Sequence, residues 1–321
     1  MYRLILMLVI ACILSGCTTE NFGQSAKFAG KDNAIVVTDD TGYQVKLKKK
    51  PEKIMTNNIY LDNILLGLVE PEKMLSVSKN MDNSAKSFGN MVSSLVENKI
   101  TNPGLEAVLA LKPDIFIVNE VIGADKIQSY RDMGIHVYVV RLSTNIEEVK
   151  NEIIKLSRLV GEEQRGKNDK LERIERNIPQ ELHYSKSTVL VSANYASYGG
   201  KGCMYDDIFK HAKIRNGIAD LGMNTGQTVN KEVMIEINPD FFFLAKPWKD
   251  NKAKDEKLLG EFLADKSLEN LRAVKNGNVA LLDEKYIFIG HQNCVWSVQK
   301  LAHLVYGDCV VLEPEEFLKG F

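Results

Sequence analysis

Two glutamates sit at the head of the same short pattern in distant parts of the chain. Glu106 opens one copy, within LEAVLALKPDIFIV from Leu105 to Val118. Glu232 opens the other, within KEVMIEINPDFFFL from Lys231 to Leu244. In each copy a Pro-Asp pair (Pro113-Asp114, Pro239-Asp240) and an unbroken apolar run follow the acid. A carboxylate in the first turn of a helix is favoured by the helix dipole, and it can accept a bidentate arginine across an interface. A repeated unit of this kind implies two lobes on one plan with a matched acid on each. Such a body is gripped from outside, or closes on something between.

A third reactive position lies near the start. Arg3 precedes the apolar run Leu4 to Leu14, which is short for a membrane span and suits the core of a signal peptide. The run ends in Leu14-Ser15-Gly16-Cys17, the pattern of a lipidation signal in which Cys17 becomes the anchored first residue of the mature chain. Other chemistry is missing. The GGKGC stretch at 199–203 lacks the strand-to-helix setting of a phosphate loop. No nucleophile elbow appears, and the five histidines show no paired metal spacing. An enzyme built on an interlobe cleft, a site for bare zinc or manganese, and a purely structural lipoprotein are therefore the weaker readings. Cys203, Cys294 and Cys309 remain in the exported part, where a Cys294–Cys309 disulfide is one option without a spacing motif behind it. With 41 basic and 42 acidic residues the charge balance gives no reason to expect a nucleic acid partner. The KLKKKPEK run at 46–53 reads as a solvated hairpin edge.

The elements that must carry these residues follow from periodicity. Ile35 to Leu47 forms two β-rich runs around Asp39-Asp40-Thr41-Gly42, a hairpin signal. Short strands near 53–57, 74–77, 115–118 and 135–140 alternate with helices over 60–69, 103–111 and 125–133. A helix opens at Thr144, and a charged second helix over about 162–182, with sparse Leu171, Ile174 and Ile178, reads as a rod between lobes. The alternation then restarts with strands at 188–193, 241–244 and 279–282 and helices at 204–211, 258–262, 268–274 and 293–306. This is an α/β chain: two Rossmann-like lobes with parallel-rich sheets joined by one long rigid α-helix. The expected boundaries are a signal peptide over 1–16, a tether over 17–33, an N-terminal lobe over 34–160 and an interdomain helix over 161–183. A C-terminal lobe over 184–308 and a frayed tail over 309–321 complete the chain.

The lipidation signal, VTDDTGYQVKLKKKPEKI at 37–54, NPGLEAVLALKPDIFIV at 102–118, the rod, and KEVMIEINPDFFFL with VALLDEKY at 279–286 together resemble one family. It is the substrate-binding lipoproteins of ABC importers for iron–siderophores, haem and vitamin B12. The resemblance spans nearly the whole mature chain. It implies that Glu106 and Glu232 dock onto arginines of the membrane permease. It implies a monomer without a cofactor of its own, held outside the cytoplasm on the membrane by Cys17. A metal chelate would lie between the lobes, at loops following the carboxyl ends of strands. Those loops carry Asn57, Tyr60 and Arg141 on the first lobe, and Tyr195, Tyr198, Lys246, Trp248, Tyr286 and His291 on the second. An aromatic and cationic set suits an anionic chelate, so a ferric siderophore is expected first, with a corrinoid or haem as alternatives. TNNIYLDN at 56–63 departs from the family's serine-rich stretch, having Asp62 but no serine.

Overall fold

The computed structural model describes residues 35–320, apart from 167–168, 183–184, 247–250 and 288. Cys17 and the whole leader lie outside the described residues. The chain begins with an antiparallel hairpin, β1 (Ile35–Thr38) and β2 (Gln44–Leu47). Asp39 explains the Asp-Asp-Thr-Gly turn. Its Oδ1 accepts from the Thr41 and Tyr43 amides at 2.9 Å, and its Oδ2 meets Arg131 at 2.7 Å. One carboxylate therefore shapes the turn and moors it to the first lobe.

That lobe holds a parallel sheet, β3 (Ile54–Thr56), β4 (Ile115–Asn119) and β5 (Val137–Val140), in the order β3-β4-β5. Its helices are α1 (Ile59–Leu68), the single turn α2 (Asn90–Ser93), α3 (Leu105–Leu111) and α4 (Ala124–Asp132). Two helices follow, α5 (Ile146–Val160) and α6 (Lys170–Arg176). The second lobe carries β6 (Ser187–Val191), β7 (Arg215–Asn216), β8 (Phe241–Ala245) and β9 (Val279–Leu282), all parallel, in the order β7-β6-β8-β9. Its helices are α7 (Met204–His211), α8 (Gly217–Asp220), α9 (Lys231–Ile237), α10 (Lys252–Ala264), α11 (Arg272–Lys275) and α12 (Val295–Tyr306). The two α/β lobes with parallel sheets are as the alternation of strands and helices indicates.

Both sheets are covered on both faces, which is why their strands read as unbroken apolar runs. In β4, Phe116 and Val118 point into an outer cluster under α3 and α4, while Ile115 and Ile117 point inward. In β8, Phe242 and Leu244 face an outer cluster with Phe262, while Phe243 and Ala245 point inward. The two inward faces belong to one continuous core, which also holds Val149, Ile153 and Leu156 of α5 and much of α12.

The connector departs from the expected rod over 161–183. Its longest helix is α5, which ends where Gly161 takes a left-handed conformation at φ 68° and closes back onto Ser157 and Arg158. A 3-10 turn over Glu163–Gly166 follows, and α6 spans only seven residues before Asn177. Leu171, Ile174 and Ile178 are sparse yet buried, because this segment lies in the shared core instead of bridging solvent. The frayed tail expected over 309–321 is also replaced. Val310 and Leu318 are each 3% exposed, and the segment between them is hydrogen-bonded to several elements. Cys294 and Cys309 are not joined. They flank the 12 residues of α12, and a helix that long spans about 18 Å, well beyond disulfide reach.

Candidate functional site: the strand-end rims

The repeated segment forms the same object twice. α3 and α9 are each seven residues long, and each carries its glutamate in the first turn. Each ends on a left-handed residue, Lys112 at φ 52° and Asn238 at φ 42°, which turns the chain sharply into the Pro-Asp pair. The aspartate then clips the base of the sheet. Asp114 Oδ2 accepts from the Lys53 amide at 3.0 Å and the Glu52 amide at 2.8 Å. Asp240 Oδ2 accepts from the Ser187 amide at 2.9 Å. The strand registers Ile54↔Ile115 and Thr188↔Phe241 make Lys53 and Ser187 equivalent positions. Pro-Asp is thus an architectural device.

Because α3 and α9 lead tightly into β4 and β8, they run back along the strands. Their amino ends, with the glutamates, emerge at the carboxyl edge of each sheet. Asn102 and Pro103, just before α3, share a crevice with Asn57 and Asn119 at the ends of β3 and β4. Residues 227–229, just before α9, bond to residues 195 and 197 beyond β6. Glu106 and Glu232 are exposed, and among the described residues neither makes a hydrogen bond or ion pair. Neither acid caps its own helix: Gly104 stands at the head of α3, and at the head of α9 the side chain of Asn230 accepts from Val233 at 2.9 Å.

On the first lobe's rim, Asn57 is buried and holds the Asn119 amide at 3.2 Å. The adjoining crevice of about 330 Å³ is walled by Asn57, Asn58, Asn102, Asn119 and Lys126 over an aromatic floor of Phe116 and Tyr130. Asn102 and Lys126 carry no signal in sequence, since their place depends on how α3 and α4 straddle β4. Arg141 follows β5 with its side chain 66% exposed and 3.8 Å from Glu120. Tyr60 is buried in α1, with a hydroxyl that meets no hydrogen-bond partner among the described residues. Burial holds its phenol well above the usual range, and the nearby charges of Glu152, Asp40 and Glu120 add to that.

The second lobe uses its candidates differently. Tyr195 takes a left-handed backbone at φ 62° in a turn closed on Ser192, and its ring packs on Phe262 in the outer cluster, away from the lobe junction. Tyr198 lies half-buried beside Tyr205 against the shared core. Lys246 pairs with Asp283 at 2.5 Å. Tyr286 is buried, its hydroxyl 2.8 Å from Glu315 and its ring edge-on to Phe88 at 5.6 Å. His291 is 2% exposed and accepts the Asn293 amide on Nδ1 at 3.2 Å, capping the turn that leads into α12. Trp248 lies outside the described residues. Asn57 and Arg141 thus lie at strand ends of one lobe and Lys246 at a strand end of the other, while Tyr60, Tyr195, Tyr286 and His291 are spent largely on packing. Aromatic loop residues look alike in sequence whether they turn to a cleft or to a core.

Two buried acids stand behind the first rim. Asp62 is fully buried, and its carboxyl is pushed up to about 7 by burial, despite the Thr56 hydroxyl and the Ser78 amide donated to it. Glu152 of α5 is pushed up to about 8 by burial and by the neighbouring charge of Asp40. On the second lobe Asp206 moves the other way. Bonds from Gly202, Asn216 and Lys210 outweigh its burial and hold it below the usual range. Among the described residues no His, Cys, Asp or Glu group of three or more could hold a metal ion. No helix of the described residues is long and apolar enough to cross a membrane.

Comparison with known proteins adds three findings. Residues 61–286 match the family described as periplasmic binding protein. No curated protein matches. A periplasmic binding protein from Veillonella parvula superposes with a TM-score of 0.69 at 16% identity, covering 87% of this chain and 99% of the other. Helicobacter pylori CeuE with Ni(II) bound gives 0.66 at 16% identity over 85% and 89%. A periplasmic heme binding protein from Pseudomonas aeruginosa gives 0.65 at 16% identity over 82% and 95%. At such identities these likenesses establish the fold alone.

Proposed function

Because the chain belongs to the periplasmic binding protein family, we propose that it is the capture component of an ABC importer, anchored outside the cytoplasm through Cys17. It takes up a metal chelate between its lobes and presents it to the membrane permease. Glu106 and Glu232 are the docking acids. The observation that carries this reading is their equivalence: two exposed carboxylates at the same position of the same unit, with no internal partner among the described residues. An acid kept for its own fold would be expected to cap a helix or pair with a neighbour.

Of the three cargoes, a ferric siderophore agrees best with the rims. Arg141 and Lys246 can meet anionic oxygens, and the Asn57–Asn119 pair supplies neutral hydrogen bonds. Haem is favoured less, although several proteins of this fold bind it, because His291 is buried as a cap and Tyr286 is held by Glu315. The deciding experiment titrates the protein without residues 1–17 against a ferric siderophore, cobalamin and haem by calorimetry. Saturable binding of the siderophore alone is the expected result. Binding of haem with an axial-ligand absorbance band would replace this cargo assignment. The lack of binding to any chelate would remove the capture role.

A further inference from the structure

The connector is broken into short segments that share one core with both lobes, and contacts beyond it also cross from lobe to lobe. The C-terminal residues 310–320 leave the second lobe after α12 and run without regular structure. Their bonds trace a path across the molecule. The Val311 amide donates to the Asn177 carbonyl at 3.2 Å. The Glu313 carboxylate takes Lys170 at 3.0 Å and Arg173 at 2.8 Å, both on α6. Its main chain makes a reciprocal pair with the Gln299 carboxamide of α12, at 2.8 and 2.9 Å. Trp296 Nε1 donates to the Glu316 carbonyl at 2.8 Å. The Leu318 amide donates to Asn293 at 2.9 Å, and its carbonyl accepts from Gln292 at 3.0 Å.

The path ends on the first lobe. Gln292 also donates to the Asn63 carbonyl of α1 at 2.6 Å. Gly67 of α1 approaches so closely that an added Cβ would lie 3.0 Å from the Leu318 carbonyl. At Gly89, an added Cβ would lie 2.9 Å from the Phe317 ring. Residues 284–286 of the second lobe also contact the same stretch of the first. Ala85 accepts the Lys285 amide at 2.9 Å, Lys86 lies 3.5 Å from Glu284, and Phe88 stacks edge-on against Tyr286.

We propose that residues 310–320 are a strap, a second crossing between the lobes that fixes their separation and limits how far they can swing. It ties the second lobe and the connector to the first lobe through side chains on α6, α12 and the turn before α12. Lobe motion then requires Phe317 and Leu318 to lift from α1 and Gly89. This rests on packing alone, and it stands or falls whatever the cargo is.

The test uses the full chain without ligand. Phe317→Ser with Leu318→Ser frees the first-lobe end and leaves the Glu313 anchor in place. Residue-level amide exchange is read at Lys285, whose N–H crosses between the lobes, and at Phe116 and Phe242 within the two sheets. The expected result is exchange faster by about tenfold or more at Lys285 with Phe116 and Phe242 unchanged. Unchanged exchange at Lys285, or equal acceleration at all three, overturns the strap. Should the double variant not fold, Phe317→Ala alone takes the ring away from Gly89 and is read in the same way.

Discussion

The two lobes share a seven-residue helix, a Pro-Asp clip and a parallel strand, yet they treat the space beyond the strand ends in opposite ways. On the first lobe the crevice beside Asn57 and Asn119 is open and walled by carboxamides. On the second, the chain fills the equivalent place. Residues 195–197 bridge to 227–229, and Gly200 lies so close to the Thr225 backbone that a side chain there would collide with it. What is repeated presents an acid and clamps a sheet; what differs is the strand-end surface, which under the proposed function meets the cargo. On that reading, common architecture and individual recognition are carried by different residues at one edge of each sheet.

Removing the repeated acids tests the shared half of this contrast most severely. Glu106→Ala with Glu232→Ala is expected to abolish uptake in cells while leaving chelate affinity unchanged, and normal uptake by that double variant would sink the docking role. A second test separates the lobes by pH. Asp62 rises from 3.8 unfolded to about 7 folded, so its contribution is present below the unfolded value and is lost as pH rises through the folded one. The loss over that window is about 4 kcal/mol, and Glu152 adds to it up to about pH 8. Asp206, held low, works in the reverse sense and costs stability as pH falls. Asp62→Asn should therefore flatten the decline in melting temperature between pH 4 and 7, leaving the part due to Glu152. An unaltered profile would show that the first lobe does not bury a titrating acid there.

The clips come next in size. Asp114→Ala and Asp240→Ala should each cost about 1–2 kcal/mol in denaturant unfolding, the worth of lost charge-assisted bonds to backbone amides. A marked inequality would show that the repeat is one of shape more than of energy. The smallest effect probes the unlike half. Asn119→Ala should weaken chelate binding by about tenfold or less, roughly 1 kcal/mol, while Asn194→Ala in the exposed turn beyond β6 should leave it unchanged. Equal effects would erase the proposed asymmetry.

Much of this organisation is legible in sequence because it is local. The Asp39 turn, the repeated Glu and Pro-Asp spacing, and the apolar runs of β4 and β8 each declare themselves within about ten residues. The rest depends on partners far away. Leu171, Ile174 and Ile178 look too sparse for a core helix, but the shared core reaches them from α12. The C-terminal EPEEFLKG has no periodicity, and distant partners hold it: Gln299, Trp296 and Asn293 take its main chain, while Lys170, Arg173 and Tyr286 take its glutamates. His291 and Tyr286 have the composition of ligand groups, and nothing nearby in sequence reveals that a turn and Glu315 already occupy them.

The backward run of α3 and α9 along their strands has one further meaning. It sets each lobe's acid on the same edge as the strand-end loops, so that under the proposed function the handle and the mouth are on one side. A recipient that takes hold of the handles must also roof the mouth. Under the proposed docking, cargo would pass from protein to channel beneath that roof, screened from the surrounding fluid. An antibody fragment seated on that edge would then stop loading and unloading at a single stroke.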